Sequence, residues 1–211
     1  MRSIATDILK TAFIYLILCV ATILMAKTII QYAGFDTNVG FLKVKQEYLN
    51  ITIWKVAFYI HVFSSIFTLA AGFTQFSSYL QKHYKKVHRF IGRVYVYNIL
   101  FINFPMALIM AYYANGFLPS KIAFTILDIL WFSFTLKAVI EARRKNIKEH
   151  KHYMIRSYAL TFSAITLRSW KLILSSTYNI EPTTLYMIDA WLGFVPNLLV
   201  AEYIIRRKNK K

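Results

Sequence analysis

The chain has 211 residues, 57% of them hydrophobic, and its 26 Lys and Arg against 9 Asp and Glu give a formal net charge of +17. Long apolar blocks take up nearly the whole length, which excludes a separate soluble catalytic module and leaves a single membrane domain over residues 1–211. The positive charge sits in the short stretches between blocks, so it speaks for a membrane surface and excludes nucleic acid as a partner.

A bilayer core needs about 20 mostly apolar residues per helix at about 1.5 Å rise each. Six blocks qualify, over residues 11–31, 53–80, 91–114, 121–142, 157–177 and 184–205. The fold expected is therefore all-α, with six transmembrane helices. The first block is too long for a signal peptide and lacks a small-residue cleavage site, so residues 1–52 read as a signal-anchor helix and an outer loop ahead of a core over 53–205. Cys19, the only cysteine, lies in that block and leaves no intramolecular disulfide or cysteine-based metal cluster to be made.

Most basic residues fall on one side. They are Arg2 and Lys10 before the first block, Lys82 to Arg93 between the second and third, Arg143 to Arg156 between the fourth and fifth, and Arg206 to Lys211 in the tail. By the positive-inside rule both termini are expected to be cytoplasmic, with the basic loops facing anionic lipid head groups.

In the second block His61 heads a stripe of Ser64, Ser65, Thr68, Gly72 and Gln75 at helical spacing. It reads as small-residue helix packing or as a polar wall. The third begins "HRFIGRVY", with His88, Arg93 and Tyr95, and the fifth is preceded by "HKHYMIRSY", with His150, Arg156 and Tyr158. The likeness suggests a duplicated hairpin that makes blocks two to five a four-helix core. Arg93 and Arg156 are expected in first helical turns and Glu141 and Glu202 in last turns, where the helix dipole disfavours each. Arg–Glu bridges between neighbouring helices would resolve this; arginines reaching lipid phosphate and glutamates reaching water are the other reading. Pro105 and Pro196, beside Asn103 and Asn197, should kink the third and sixth blocks and shape a cavity.

Arg168 and Lys171 stand inside the fifth block, three apart and so on one helix face. Counted from the outer ends at about 1.5 Å per residue, His61, Asp128, Arg168 and Asp189 all fall roughly 8–14 Å below the outer boundary. An ionised group near mid-membrane costs at least about 2.5–3.5 kcal/mol on the lenient insertion scale, so four helices meeting at one depth suggest a buried charge cluster. Asp128 and Asp189 can balance Arg168 and Lys171, which leaves His61 to change charge near neutral pH.

The segments "HRFIGRVY" (His88 to Tyr95), "HYMIRSYALTFSAITLR" (His152 to Arg168) and "AWLGFVPNLLVAEYIIRR" (Ala190 to Arg207), with the His61 helix before them, resemble the bacterial multi-pass membrane family called domain of unknown function twenty-three-oh-six. The resemblance covers blocks two to six. It implies an integral membrane protein in which His61, His88, Arg93, His150, Arg156, Arg168, Asn197 and Glu202 are polar positions of the family pattern, and it implies no activity. Tyr153 and Phe194 stand where that pattern leads one to expect tryptophan.

The leading expectation is a non-enzymatic membrane protein whose polar cluster of His61, Asn103, Asp128, Arg168, Lys171 and Asp189 binds a small polar or amphipathic ligand or relays protons. One alternative is an electron carrier holding haem b on His88 and His150, matching positions of two hairpins. Another is a structural partner of a second membrane protein or of further copies of itself.

Overall fold

The computed structural model describes residues 4–209, so Arg2, Lys210 and Lys211 of the basic set lie outside the described residues. Within them the chain forms eleven α-helices and no strand. That is the arrangement in which apolar segments satisfy their backbone groups internally without water. Helix α1 (Ile4–Ile30) leads to a loop folded into short 3-10 turns at Gly40–Val44 and Gln46–Tyr48. Helix α2 (Thr52–Ala70) passes through Ala71 into α3 (Gly72–Gln75), then α4 (Ser78–His83) turns the chain into α5 (Lys85–Tyr97). A π-helical turn, Asn98–Asn103, joins α5 to α6 (Phe104–Tyr112), and α7 (Phe117–Arg143) follows. The last four are α8 (Ile147–Thr161), α9 (Ser163–Thr177), α10 (Pro182–Leu192) and α11 (Val195–Asn209).

Four stretches are long and apolar enough to cross a bilayer: Thr52–Gln75, Lys85–Tyr112, Phe117–Arg143 and Pro182–Arg207. The apolar part of α1, Tyr15–Ile30, is shorter, and the fifth block is divided at Phe162 between α8 and α9, of 15 residues each. Residues 31–51 and the loops at 113–116 and 178–181 share one end of the bundle. The other, basic end holds α4, the α7–α8 turn and the last residues of α11.

The breaks have side-chain causes. Pro105 cannot donate to the Phe101 carbonyl, and the ladder before it widens into the π-helical turn. Asn103, wholly buried, braces that turn by donating from Nδ2 to Asn98 Oδ1 at 2.8 Å, and Asn98 Nδ2 ties it to the Ser64 carbonyl of α2 at 2.7 Å. At the second break, between α10 and α11, Asn197 Nδ2 donates to the Ala159 carbonyl (3.2 Å), Thr166 Oγ1 (3.0 Å) and the Gly193 carbonyl (3.1 Å). Thr166 Oγ1 donates to the same Gly193 carbonyl at 2.5 Å. Each asparagine beside a proline thus supplies hydrogen bonds where the regular ladder is interrupted.

The main apolar cluster gathers Tyr95, Ile99, Trp131, Met154, Tyr158 and Phe194 from α5 to α11. A hydroxyl network threads it. Tyr95 Oη meets Ser157 Oγ at 2.8 Å and Thr161 Oγ1 at 3.0 Å, Thr135 Oγ1 meets Ser157 Oγ at 2.7 Å, and Trp131 Nε1 donates to Thr161 Oγ1 at 3.2 Å. Beside it, Tyr158 Oη donates to the Leu69 carbonyl at 2.5 Å, and a Cβ on Gly72 would fall on that hydroxyl.

The expected helix-end charges sit differently. Helices α5 and α8 begin at Lys85 and Ile147, earlier than the apolar blocks, so Arg93 and Arg156 lie in mid-helix, clear of the unfavourable dipole end. Helix α11 continues to Asn209, well past Glu202. Arg156 and Glu202 still form a two-armed bridge between α8 and α11, at 2.5 and 3.0 Å, with the guanidinium over the Tyr153 ring at 5.4 Å. Glu141 pairs locally with Arg144 at 3.2 Å. Arg93 is exposed, donates to the Arg89 carbonyl at 3.3 Å and has no carboxylate partner among the described residues, so it belongs to no interhelical ion pair.

Candidate functional site

Beneath residues 31–51 lies a cavity of about 410 Å³, walled by α1, α2, α6, α7, α9 and α10 and reaching the α8–α9 break. Its volume is in the range of about 300–1,000 Å³ usual for small-molecule sites. Most of the wall is apolar or aromatic, including Met25, Trp54, Phe58, Leu69, Leu127 and Trp131. Into this wall are set His61 from α2, Asp128 from α7, Arg168 and Lys171 from α9, and Asp189 from α10. The structure therefore brings five of the six cluster candidates to one space. Asn103 is the exception: its side chain is held by the π-helical turn and does not line the cavity.

The five are not locked to one another. No ion pair within 4.0 Å joins any of them among the described residues. One Nη of Arg168 donates to the Ala164 carbonyl in its own helix. Lys171 is close enough to act on Asp189 as a charge without touching it. His61 Nδ1, Ser163 Oγ and Asp189 Oδ1 are buried with no hydrogen-bond partner, a state that folded proteins rarely leave without a reason.

Burial divides the set. Asp128 and Asp189 are buried, at 6% and 2% exposure, whereas Arg168 and Lys171 keep much of their surface open. Helix α9 packs against α8 and α10 at the edge of the bundle, so its cations form the rim of the cavity.

The loop over 31–51 is a lid with a core of its own. Leu42, Trp54, Phe58 and Tyr32 cluster beneath it, and Tyr32 Oη accepts from the Phe41 amide at 2.9 Å. Lys45, 2% exposed, reaches from the lid to the opposite loop and donates to the Tyr113 carbonyl and to Asn115 Oδ1. Its ammonium also lies over the Tyr48 ring at 4.4 Å. Burial, partly offset by Glu47 and reinforced by Lys121, pushes that ammonium down to about 8. Sequence reasoning placed Lys45 in a loop and passed it over, because nothing in its local pattern marks a lysine that folds inward.

The stripe below His61 is divided in use. Ser65 and Thr68 line the cavity while their hydroxyls bond back to carbonyls three residues earlier, at 2.9 and 2.6 Å. Gly72 and Gln75 serve packing, Gln75 Nε2 donating to the His88 carbonyl at 3.1 Å.

At the basic end His88 and His150 are each the fourth residue of their helices, α5 and α8. They are close enough to act on one another as charges. His150 Nδ1 is hydrogen-bonded to the Ala138 carbonyl at 2.9 Å, so it carries the proton and Nε2 stays free. Among the described residues no three His, Cys, Asp or Glu side chains group as a metal site.

Four bilayer-length apolar helices, with a largely apolar cavity between helices into which a few charged side chains are set, define a multi-pass helical membrane protein. A family model described as "Predicted membrane protein (DUF2306)" matches residues 58–205, and the chain belongs to that family. No curated protein and no solved structure matches the chain.

Proposed function

We propose that this is a six-span protein of the cytoplasmic (inner) membrane, with both termini cytoplasmic, whose cavity holds a small amphipathic ligand in the outer half of the bundle without chemical conversion. The α8–α9 path and α1 supply the two spans beyond the four long ones. The basic end then meets anionic head groups, and the lid over residues 31–51 faces outward. One observation carries the reading: His61, Asp128, Arg168, Lys171 and Asp189, drawn from four helices, line a single cavity without pairing to each other. Charges that served only to lock the bundle would meet as Arg156 and Glu202 do.

Native mass spectrometry of protein released gently from its membrane tests this. The wild type should carry a bound small molecule that Arg168→Leu loses while remaining folded and membrane-inserted. A bare mass for wild type across several lipid compositions defeats the proposal.

The haem reading rests on a different observation, the free Nε2 of His150 near His88 at matching helix positions. An absorption spectrum after haem-replete expression decides it through the presence or absence of a Soret band that His150→Ala removes.

A further inference from the structure

Three cations line the cavity, Lys45, Arg168 and Lys171, against two carboxylates, Asp128 and Asp189. Lys45 spends its donors on Tyr113, Asn115 and the Tyr48 ring, and Lys171 has Asp189 within electrostatic reach. Arg168 is different. One nitrogen is held by the Ala164 carbonyl, the rest of the guanidinium fork has no protein carboxylate within 4.0 Å among the described residues, and its surface is open. A guanidinium in a membrane helix is strongly unfavourable unless an anion or water meets it, and its planar fork matches a carboxylate or phosphate.

The surroundings say what carries that anion. Arg168 and Lys171 sit on the edge helix α9 beside Leu172 and Ile173, which are 70% and 49% exposed, so the rim is reached from the side, where lipid chains lie. Inward from them the wall is apolar, through Leu167, Ala164, Leu69 and Phe58. The volume of about 410 Å³ falls in the lower part of the small-molecule range and suits one chain rather than two.

We infer that the cavity takes a single-chain amphiphile with an anionic oxygen head, a carboxylate or a phosphate monoester, seated on Arg168 with its chain along the apolar wall. This rests on the cavity being a ligand site, and goes beyond that by fixing the head group's charge and its anchor.

Trp54 and Trp131 line the cavity and report its occupancy. The full chain, in nanodiscs of zwitterionic lipid, is titrated with a dibrominated fatty acid, its methyl ester, a brominated lysophosphatidate and a brominated alkyl trimethylammonium, reading tryptophan quenching. The acid or the lysophosphatidate should quench saturably, and which binds tighter separates a free acid from a lipid phosphate as the source. The ester and the cation should bind at least about tenfold more weakly, since a charge-assisted hydrogen-bond pair is lost. Arg168→Gln should bring the acid to the ester's level. If ester or cation binds as tightly as the tighter of the two anions, the inference fails while the cavity stands as a ligand site. If none of the four quenches saturably, the inference and the reading beneath it fail together. Because acid and ester are compared on wild type, the result does not depend on the variant folding.

Discussion

Gly72→Ala isolates the packing that joins α3 to α8. In an ordinary helix this change is stabilising by about 0.5–1 kcal/mol, because glycine loses more backbone freedom on folding. Here the new methyl would land on the Tyr158 hydroxyl, with Tyr158 Cε1 at 3.0 Å. Tyr158 cannot swing aside: it is 7% exposed, with Phe76 at 4.8 Å and Phe162 at 5.5 Å between ring centroids. Overpacking of this kind costs about 1–3 kcal/mol, and a Leu69 carbonyl stripped of its buried donor costs about 1–3 kcal/mol more. The unfavourable terms win, and a net loss of about 2–4 kcal/mol is expected. Reversible unfolding in mixed micelles on adding SDS measures it, with Gly34→Ala as the control, because nothing lies within 4 Å of a Cβ there. Combining Gly72→Ala with Tyr158→Phe should give less than the sum of the two single losses, since both act through one hydroxyl. A Gly72→Ala protein as stable as wild type, or more so, would refute the reasoning.

Other outcomes follow from charges at the bundle's ends. Lys45 titrates near 8 in the fold against an ordinary value of 10.5; between those values the unfolded chain holds a proton the folded chain has released, so stability rises with pH across that window. Lys45→Met should flatten that rise in thermal melts at pH 7.5 to 10, and an unchanged slope would contradict it. Glu181 caps α10 by accepting from the Thr183 and Thr184 amides at 2.8 and 2.7 Å, which holds its carboxyl down to about 2. The cap's contribution is present at neutral pH and is lost as pH falls from the ordinary carboxylate range toward that value. Glu181→Ala should therefore speed amide exchange at Thr183 and Thr184 near neutral pH while sparing α11. For the half-exposed Arg156–Glu202 pair, a double-mutant cycle of Arg156→Met with Glu202→Gln should give a coupling of about 1–2 kcal/mol, between surface pairs and buried charged hydrogen bonds; additive losses would argue against a working bridge.

The membrane character and the family were legible because they rest on block hydropathy and on contiguous motifs. Helical rise converts residue count into height and nominated His61, Asp128, Arg168 and Asp189 together, and these four line one cavity. Which way each side chain turns at that height was not, because rotation about a helix axis is set by packing partners far away in sequence. Asn103 shows the limit: depth and a neighbouring proline nominated it for the cavity, but widening of the backbone into a π-helical turn directs its amide to Asn98. Arg93 and Arg156 show another. Their motifs look alike, yet among the described residues Arg156 meets a carboxylate on a neighbouring helix, Glu202 of α11, and Arg93 meets none. The inward fold of Lys45 depends on a contact 68 residues away, with Tyr113.

Asn197 has a mechanical consequence. A single amide nitrogen is shared by the Ala159 carbonyl of α8, Thr166 of α9 and the Gly193 carbonyl beyond α10, so the discontinuities in the two neighbouring helix paths are pinned at one point. Helix α10 packs against both α9 and α7, so the helices that carry Arg168, Lys171 and Asp189 are tied together through this one nitrogen and braced on the helix that carries Asp128. Loss of the Asn197 amide would therefore loosen three helix paths at once, at the foot of the wall that holds the cavity's charges.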